Sequence, residues 1–294
     1  MTATRWLLLA TLIWGATFTL IHKALASVDP VLFVALRFGL AAPLTLLFFH
    51  RRVRLGSLLQ LGRGVLLGTV LFLGYLLQTL GLVHTSASRS GFFTSLAVLF
   101  VPMLLAVLER RRPRGGVILS VALALAGLWV MNPGILEGAG SGTALGDALT
   151  IGCAFVFAVQ ILLMDRTPTA GHTWTLTFWQ VLTVAVLATA CLPFRGPLQL
   201  EWTLDLVLAL LICGLLATVL ALALQIRFQR EIAPEKAAVI YTMEPVFAVF
   251  FAWLLAGEHL STREALGGLL ILGGLLGAEL DRARLSALRV WLFG

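Results

Sequence analysis

A chain of 294 residues that is 60% hydrophobic and only 12% charged, with a mean hydropathy of +0.99, falls outside the soluble globular class, for which about 45–50% apolar and about 25% charged residues are usual. Its net charge of +7 sits in short loops between apolar runs, the pattern of the cytoplasmic loops of membrane proteins, so no nucleic-acid partner is expected. The runs have the length of spanning helices and lack the alternating strands of a membrane barrel, so the fold class is an all-α integral membrane bundle.

Ten runs lie near 5–26, 31–49, 62–83, 90–108, 115–132, 145–164, 173–192, 204–226, 236–257 and 265–280. The first begins at Arg5 and ends in Ala-Leu-Ala, which imitates a cleaved signal peptide, but His22 and Lys23 interrupt the approach to the cleavage site and it reads as helix one. It carries Trp14 and Thr17 at mid-depth. Helix two holds Arg37 six residues inside its run, about 9 Å from the end, where it either attracts a substrate carboxylate or snorkels outward. Helix three contributes Tyr75 and Gln78, and helix four contains Pro102. After helix five a Gly-rich linker over 133–144 separates the segments 1–132 and 145–282.

Gln160 lies in helix six, Trp179 and Gln180 in helix seven, and Gln225 in helix eight. Helix nine bears Tyr241 and then Glu244-Pro245; Glu244 is the only charge between Ala237 and Gly257. An ionisable group at such depth costs at least ~2.5 kcal/mol on insertion scales and usually faces a cavity or a partner. Pro245 leaves the carbonyl near Tyr241 without its helical donor. Glu244 therefore reads either as a substrate-amine or proton site, or as a group held by interhelical hydrogen bonds that shapes the fold. Helix ten offers Gly273 and Gly277 at close-packing spacing, an intramolecular face or that of a weak dimer. Residues 283–294 form a tail.

With an internal N-terminus, the loop cations outside are only Lys23, Arg89, Arg195 and Arg263. The bias predicts both termini in the cytoplasm of a bacterial inner membrane, with an even number of helices. Sliding the chain on itself by 147 residues sets "GFFTSLAVLFVPMLLAVLERRR" (91–112) over "AVIYTMEPVFAVFFAWLLAGEH" (238–259), so that Ser95 meets Thr242. An offset near 142 sets 11–21 over 153–163 and Arg37 over Gln180. Each half holds five helices, an odd number, which predicts two inverted five-helix repeats.

The segment "MEPVFAVFFAWLLAGE" (243–258) resembles the second EamA repeat of the drug/metabolite transporter superfamily. "DPVLFVALRF" (29–38) and "TSASRSGFFTSLAVLFVPMLLAVLERRRP" (85–113) resemble the matching parts of the first. The resemblance implies a ten-helix carrier in which helices one to four and six to nine surround a central cavity, and within the superfamily the whole chain is most similar to an exporter of aromatic amino acids. One departure stands out. The first repeat has Ala97-Val98 where the second has Glu244-Pro245, and its proline, Pro102, comes a turn later, so breaks in helices four and nine are expected at different depths.

Together, Trp14, Thr17, Arg37, Tyr75, Gln78, Gln160, Trp179, Gln180, Gln225, Tyr241 and Glu244 form the candidate lining of a cavity for an amphipathic, ring-bearing solute. Pro102 and Pro245 are the candidate helix breaks. Cys153, Cys191 and Cys213 lie in apolar runs with no CxxC pair and no phosphate loop accompanies them, so no metal, cofactor or ATP hydrolysis is expected. Without a clustered nucleophile, base or metal set an intramembrane enzyme is disfavoured, and a single asymmetric Glu-Pro suits a carrier better than a symmetric pore. The expected partners are a small-molecule substrate, amino acids foremost, the lipid bilayer and protons, the protein being a monomer or a weak dimer.

Overall fold

The computed structural model describes residues 2–53, 57–85, 87–110, 112–131, 144–168, 171–256 and 261–293. Fourteen α-helices follow in order: α1 (Thr2–Gly15), α2 (Thr17–Ala24), α3 (Pro30–Phe49), α4 (Leu58–His84), α5 (Ala87–Ser95), α6 (Ala97–Glu109), α7 (Gly115–Met131), α8 (Ala144–Arg166), α9 (Thr173–Cys191), α10 (Leu204–Leu211), α11 (Ala221–Phe228), α12 (Pro234–Tyr241), α13 (Glu244–Ala256) and α14 (Thr262–Phe293). Several are consecutive pieces of one rod. Seven stretches of the described residues are long and apolar enough to cross a membrane: Ala3–Ala24, Pro30–Phe49, Leu58–His84, Arg89–Glu109, Ala144–Arg166, Thr173–Phe194 and Leu204–Glu231. The expected linker lies outside the described residues except for Ala144, as do Gly257 and Glu258 of the family-like segment.

Local chemistry fixes several helix starts. Asp29 accepts from the backbone N–H groups of Val31 and Leu32 at 2.8 and 3.1 Å, with Pro30 as first residue of α3, where a missing N–H costs nothing. Ser57 and Gln60 cap α4 reciprocally.

The breaks fall elsewhere than the prolines suggest. Helix four is interrupted at Leu96, where Leu96 N–H donates to Phe93 and Leu99 N–H to Leu96, while Pro102 lies inside α6. The expectation for Pro102 is thus corrected. A proline removes one hydrogen bond, here the one to Val98, and a helix already restarted at Ala97 carries that loss without a second interruption. In helix nine the turn is Thr242–Met243, directly before Glu244-Pro245, which open α13. The 147-residue offset superposes Leu96 on Met243, so the two breaks are in register and not displaced by a turn. Two irregularities carried no proline signal: helix one stops for Ala16, and Ile212–Leu220 between α10 and α11 is π-helical.

One end of the bundle is joined by charge and backbone. Val28 and Leu200 form an antiparallel bridge, Arg195 pairs with Asp29 at 2.9 Å, and Arg89 pairs with Asp147. At the other end Gln229, 1% exposed, donates to the Ile161 carbonyl at 2.8 Å and accepts from Gln225 and Tyr241 at 3.0 and 2.9 Å. α7 and α14 pack against each other through Gly127, Gly267 and Gly274: a Cβ on Gly127 would lie 2.5 Å from the Gly267 carbonyl, and one on Gly274 2.7 Å from that of Ser120. The expected face is corrected accordingly. A Cβ on Gly273 would meet nothing within 4 Å, because the seven-residue spacing of Gly267 and Gly274 turns it away from α7, and of the expected pair only Gly277 comes near, 3.2 Å from Ser120 Oγ.

Candidate substrate cavity

Nine of the eleven expected residues converge on one cavity of about 920 Å³ of non-atom space, its mouth included: Trp14, Thr17, Arg37, Tyr75, Gln78, Gln160, Gln225, Tyr241 and Glu244. They come from α1, α2, α3, α4, α8, α11, α12 and α13, whereas α7 and α14 contribute none.

Arg37 does not snorkel. It is 2% exposed, its Nε donates to Thr218 Oγ1 at 2.9 Å and its Nη2 to Tyr75 Oη at 3.4 Å, and its guanidinium lies 4.7 Å from the centre of the Tyr75 ring. The aromatic face and the two oxygens hold the cation inside where a free one would seek the interface. Nη1 has no bond among the described residues and remains for a ligand.

The π-helical stretch supplies the anchors. Thr218 belongs to it, and so does Ala217, whose carbonyl accepts the Trp14 indole N–H at 2.9 Å. A π turn shifts the helical bonding pattern, which is why such segments gather at functional positions. Trp14 in turn meets Tyr241 edge to face at 5.6 Å, and Tyr75 meets Phe157 at 5.8 Å.

Glu244 reaches the cavity at the break in helix nine. Helix one reaches that break with no side chain between: a Cβ on Gly15 would lie 2.6 Å from the Glu244 carbonyl and 2.8 Å from Phe247 Cβ. The carboxyl of Glu244 has neither a hydrogen bond nor an ion pair among the described residues, so the interhelical bonds of the structural alternative are not found among them. One guanidinium and one carboxyl thus face the same space without joining each other. The hydroxyls at the two matched breaks also line it: Ser95 donates to Gly91 at 2.9 Å and Thr242 to Val239 at 2.6 Å.

Trp179 and Gln180 do not join the cavity. α9 lies against α4, where Trp179 packs on Gly64 and the Gln180 carbonyl would be 2.7 Å from a Cβ on Gly68. Two glycines bring α4 close against the Trp179 side chain and the Gln180 backbone, and the Gln180 amide, fully buried, has no partner among the described residues. The polar and aromatic residues chosen from the sequence left out Phe18, Phe157 and Thr94, although Phe18 and Ile21 continue the face begun at Trp14 and Thr17. Thr218 and Gln229, which hold the wall from behind, were also missed; the i,i+4 spacing of Gln225 and Gln229 was the available signal. Among the described residues no group of three His, Cys, Asp or Glu side chains could hold a metal ion.

A multi-pass helical membrane protein with a ring-lined, mainly apolar cavity that holds a few polar groups has the architecture of a solute carrier. The chain belongs to the EamA-like transporter family, whose model matches residues 1–132 and 144–279. An uncharacterized transporter of Archaeoglobus fulgidus is 31% identical over 271 residues, 90% of this chain and 82% of that one. A probable amino-acid metabolite efflux pump of Salmonella typhimurium is 26% identical over 283 residues, covering 91% of each chain. A protein solved by crystallography shares the fold at a TM-score of 0.75 and 21% identity, over 95% of this chain and 99% of that one. Family and relatives are transporters, so the protein is not an enzyme.

Proposed function

We propose that the protein is a secondary transporter of a bacterial inner membrane that exports amino acids, aromatic ones included, by alternating access. The observation that carries this reading is Arg37 and Glu244, unpaired with each other, facing one cavity among the rings of Trp14, Tyr75, Phe157 and Tyr241. A zwitterion offers a carboxylate to Arg37 Nη1 and an ammonium to Glu244, and its side chain occupies the rings. The sequence resemblance to the aromatic amino acid exporter YddG and the amino-acid efflux pump among the relatives point the same way. In this reading the chain forms ten spanning helices in two inverted repeats, 1–132 and 145–282, with both termini cytoplasmic. Glu244, without a partner among the described residues, is the group a coupled proton would use.

Counterflow of labelled phenylalanine into liposomes containing the purified protein, with and without a pH gradient, tests the proposal. Saturable exchange is expected, and acceleration by the gradient identifies proton coupling. Absence of exchange for every aromatic amino acid removes the substrate assignment.

A further inference from the structure

One buried amide in the cavity is left without a partner. Gln160 is 2% exposed, lines the cavity, and neither its Nε2 nor its Oε1 has a hydrogen-bond partner among the described residues. The polar groups beside it satisfy one another: Gln225 and Tyr241 both donate to Gln229 Oε1, and Gln229 donates to the carbonyl of Ile161, the next residue along α8. A buried polar group that finds no partner is destabilising, and an aliphatic side chain of similar size would fold better there. In a binding cavity the deficit disappears when a ligand brings the complementary groups.

The charged groups sit at a different level. Thr218, which holds Arg37, and Gln225 are seven residues apart, about 10 Å along the same helix. The rings of Trp14, tied to Ala217, and Tyr241, tied to Gln229, span that gap. A solute whose head engages Arg37 and Glu244 therefore lays its side chain along the rings, with its far end toward Gln160. An amide offers one donor face and one acceptor, and a phenolic hydroxyl answers both.

Resting on the amino acid reading above, we infer that Gln160 is a specificity-determining residue that hydrogen-bonds a phenolic hydroxyl at the far end of the substrate, so that tyrosine is preferred to phenylalanine. The two solutes differ only in that hydroxyl, and phenylalanine leaves the amide unmet. The preference is about tenfold, the upper end for one net hydrogen bond.

The test is competition by unlabelled tyrosine and phenylalanine against labelled phenylalanine, as binding and as counterflow, for the wild type, Gln160→Leu and Gln160→Met. Tyrosine should compete at about tenfold lower concentration in the wild type. Both variants should bring tyrosine to the level of phenylalanine, a change in ranking that a merely structural role does not produce. Equal competition in the wild type, or variants that weaken both solutes alike, would overturn the inference and leave the amino acid reading standing. Failure of the wild type to bind either solute removes that reading, and the inference with it.

Discussion

Helices one and six occupy matching places in the two family-like segments, yet only helix one is broken, at Ala16, whereas α8 runs unbroken from Ala144 to Arg166. Helices three and eight contrast the other way: α4 is continuous over 27 residues while its later counterpart contains the π-helical stretch Ile212–Leu220. The irregular stretches meet one another. Trp14 reaches the Ala217 carbonyl, and Gly15 touches the backbone of Glu244. A regular helix keeps most of its carbonyls for its own ladder, and the carbonyl that anchors Trp14 across the bundle lies where that ladder is disturbed. The straight helices, by contrast, give rings and amides to the wall.

The largest effect expected is at the irregular side. Glu244→Gln keeps shape and part of the hydrogen bonding. It should fold normally and reduce flux at least about tenfold, since a contact to a charged group is worth about 1.5–3 kcal/mol. Wild-type flux with a lowered melting temperature would make Glu244 a folding group instead. Next, Gly15→Ala should destabilise by about 1–3 kcal/mol through overpacking against Glu244 and Phe247. Gly39→Ala, with nothing within 4 Å of the added methyl, should stabilise by up to about 1 kcal/mol. Thermal melts of the pair compare the crowded contact with an open one, and equal melting temperatures would sink the contact.

Thr218→Val removes the Nε partner of Arg37 while Tyr75 still holds Nη2. Substrate affinity should fall a few-fold, about 1 kcal/mol, as read by equilibrium binding, and an unchanged affinity would show that the π-helical anchor does not position the guanidinium. The smallest effect concerns the prolines. Pro245→Ala should slow flux more than it weakens binding, because a restored N–H straightens the helix at its break. Pro102→Ala, away from a break, should leave flux as it is, and a slowed Pro102→Ala carrier would reverse their roles.

Hydropathy and the scatter of polar residues on apolar runs made the bundle and most of the cavity legible before any coordinates. Facing was harder to read. Gln160 and Gln180 both lie inside apolar runs, but Gly64 and Gly68 bring α4 against α9 at Trp179 and the Gln180 backbone, and only Gln160 lines the cavity. Breaks were hardest. Leu96 has neither glycine nor proline beside it, and at Ala16 the only local signal is Gly15, which also ends α1; the geometry of both breaks is set by tertiary contact, which local propensity does not encode. Arg37 escaped the interface because Tyr75 and Thr218, distant in sequence, solvate it.

The two ends of the bundle are held by different physics. Asp147 and Ile161 lie fourteen residues apart on α8, about 21 Å. The first end is closed by Arg89 on Asp147 and Arg195 on Asp29, and the second by the neutral amides and phenol around Gln229, with Arg230 on the Asp165 carbonyl and an exposed Arg227–Glu231 pair beside them. Dissolved ions screen the charged pairs, the more so where they are exposed, and leave the buried amides untouched. Ionic strength therefore acts unequally on this molecule: raising it loosens the pairs that join the first end, while the amides that join the second keep their bonds.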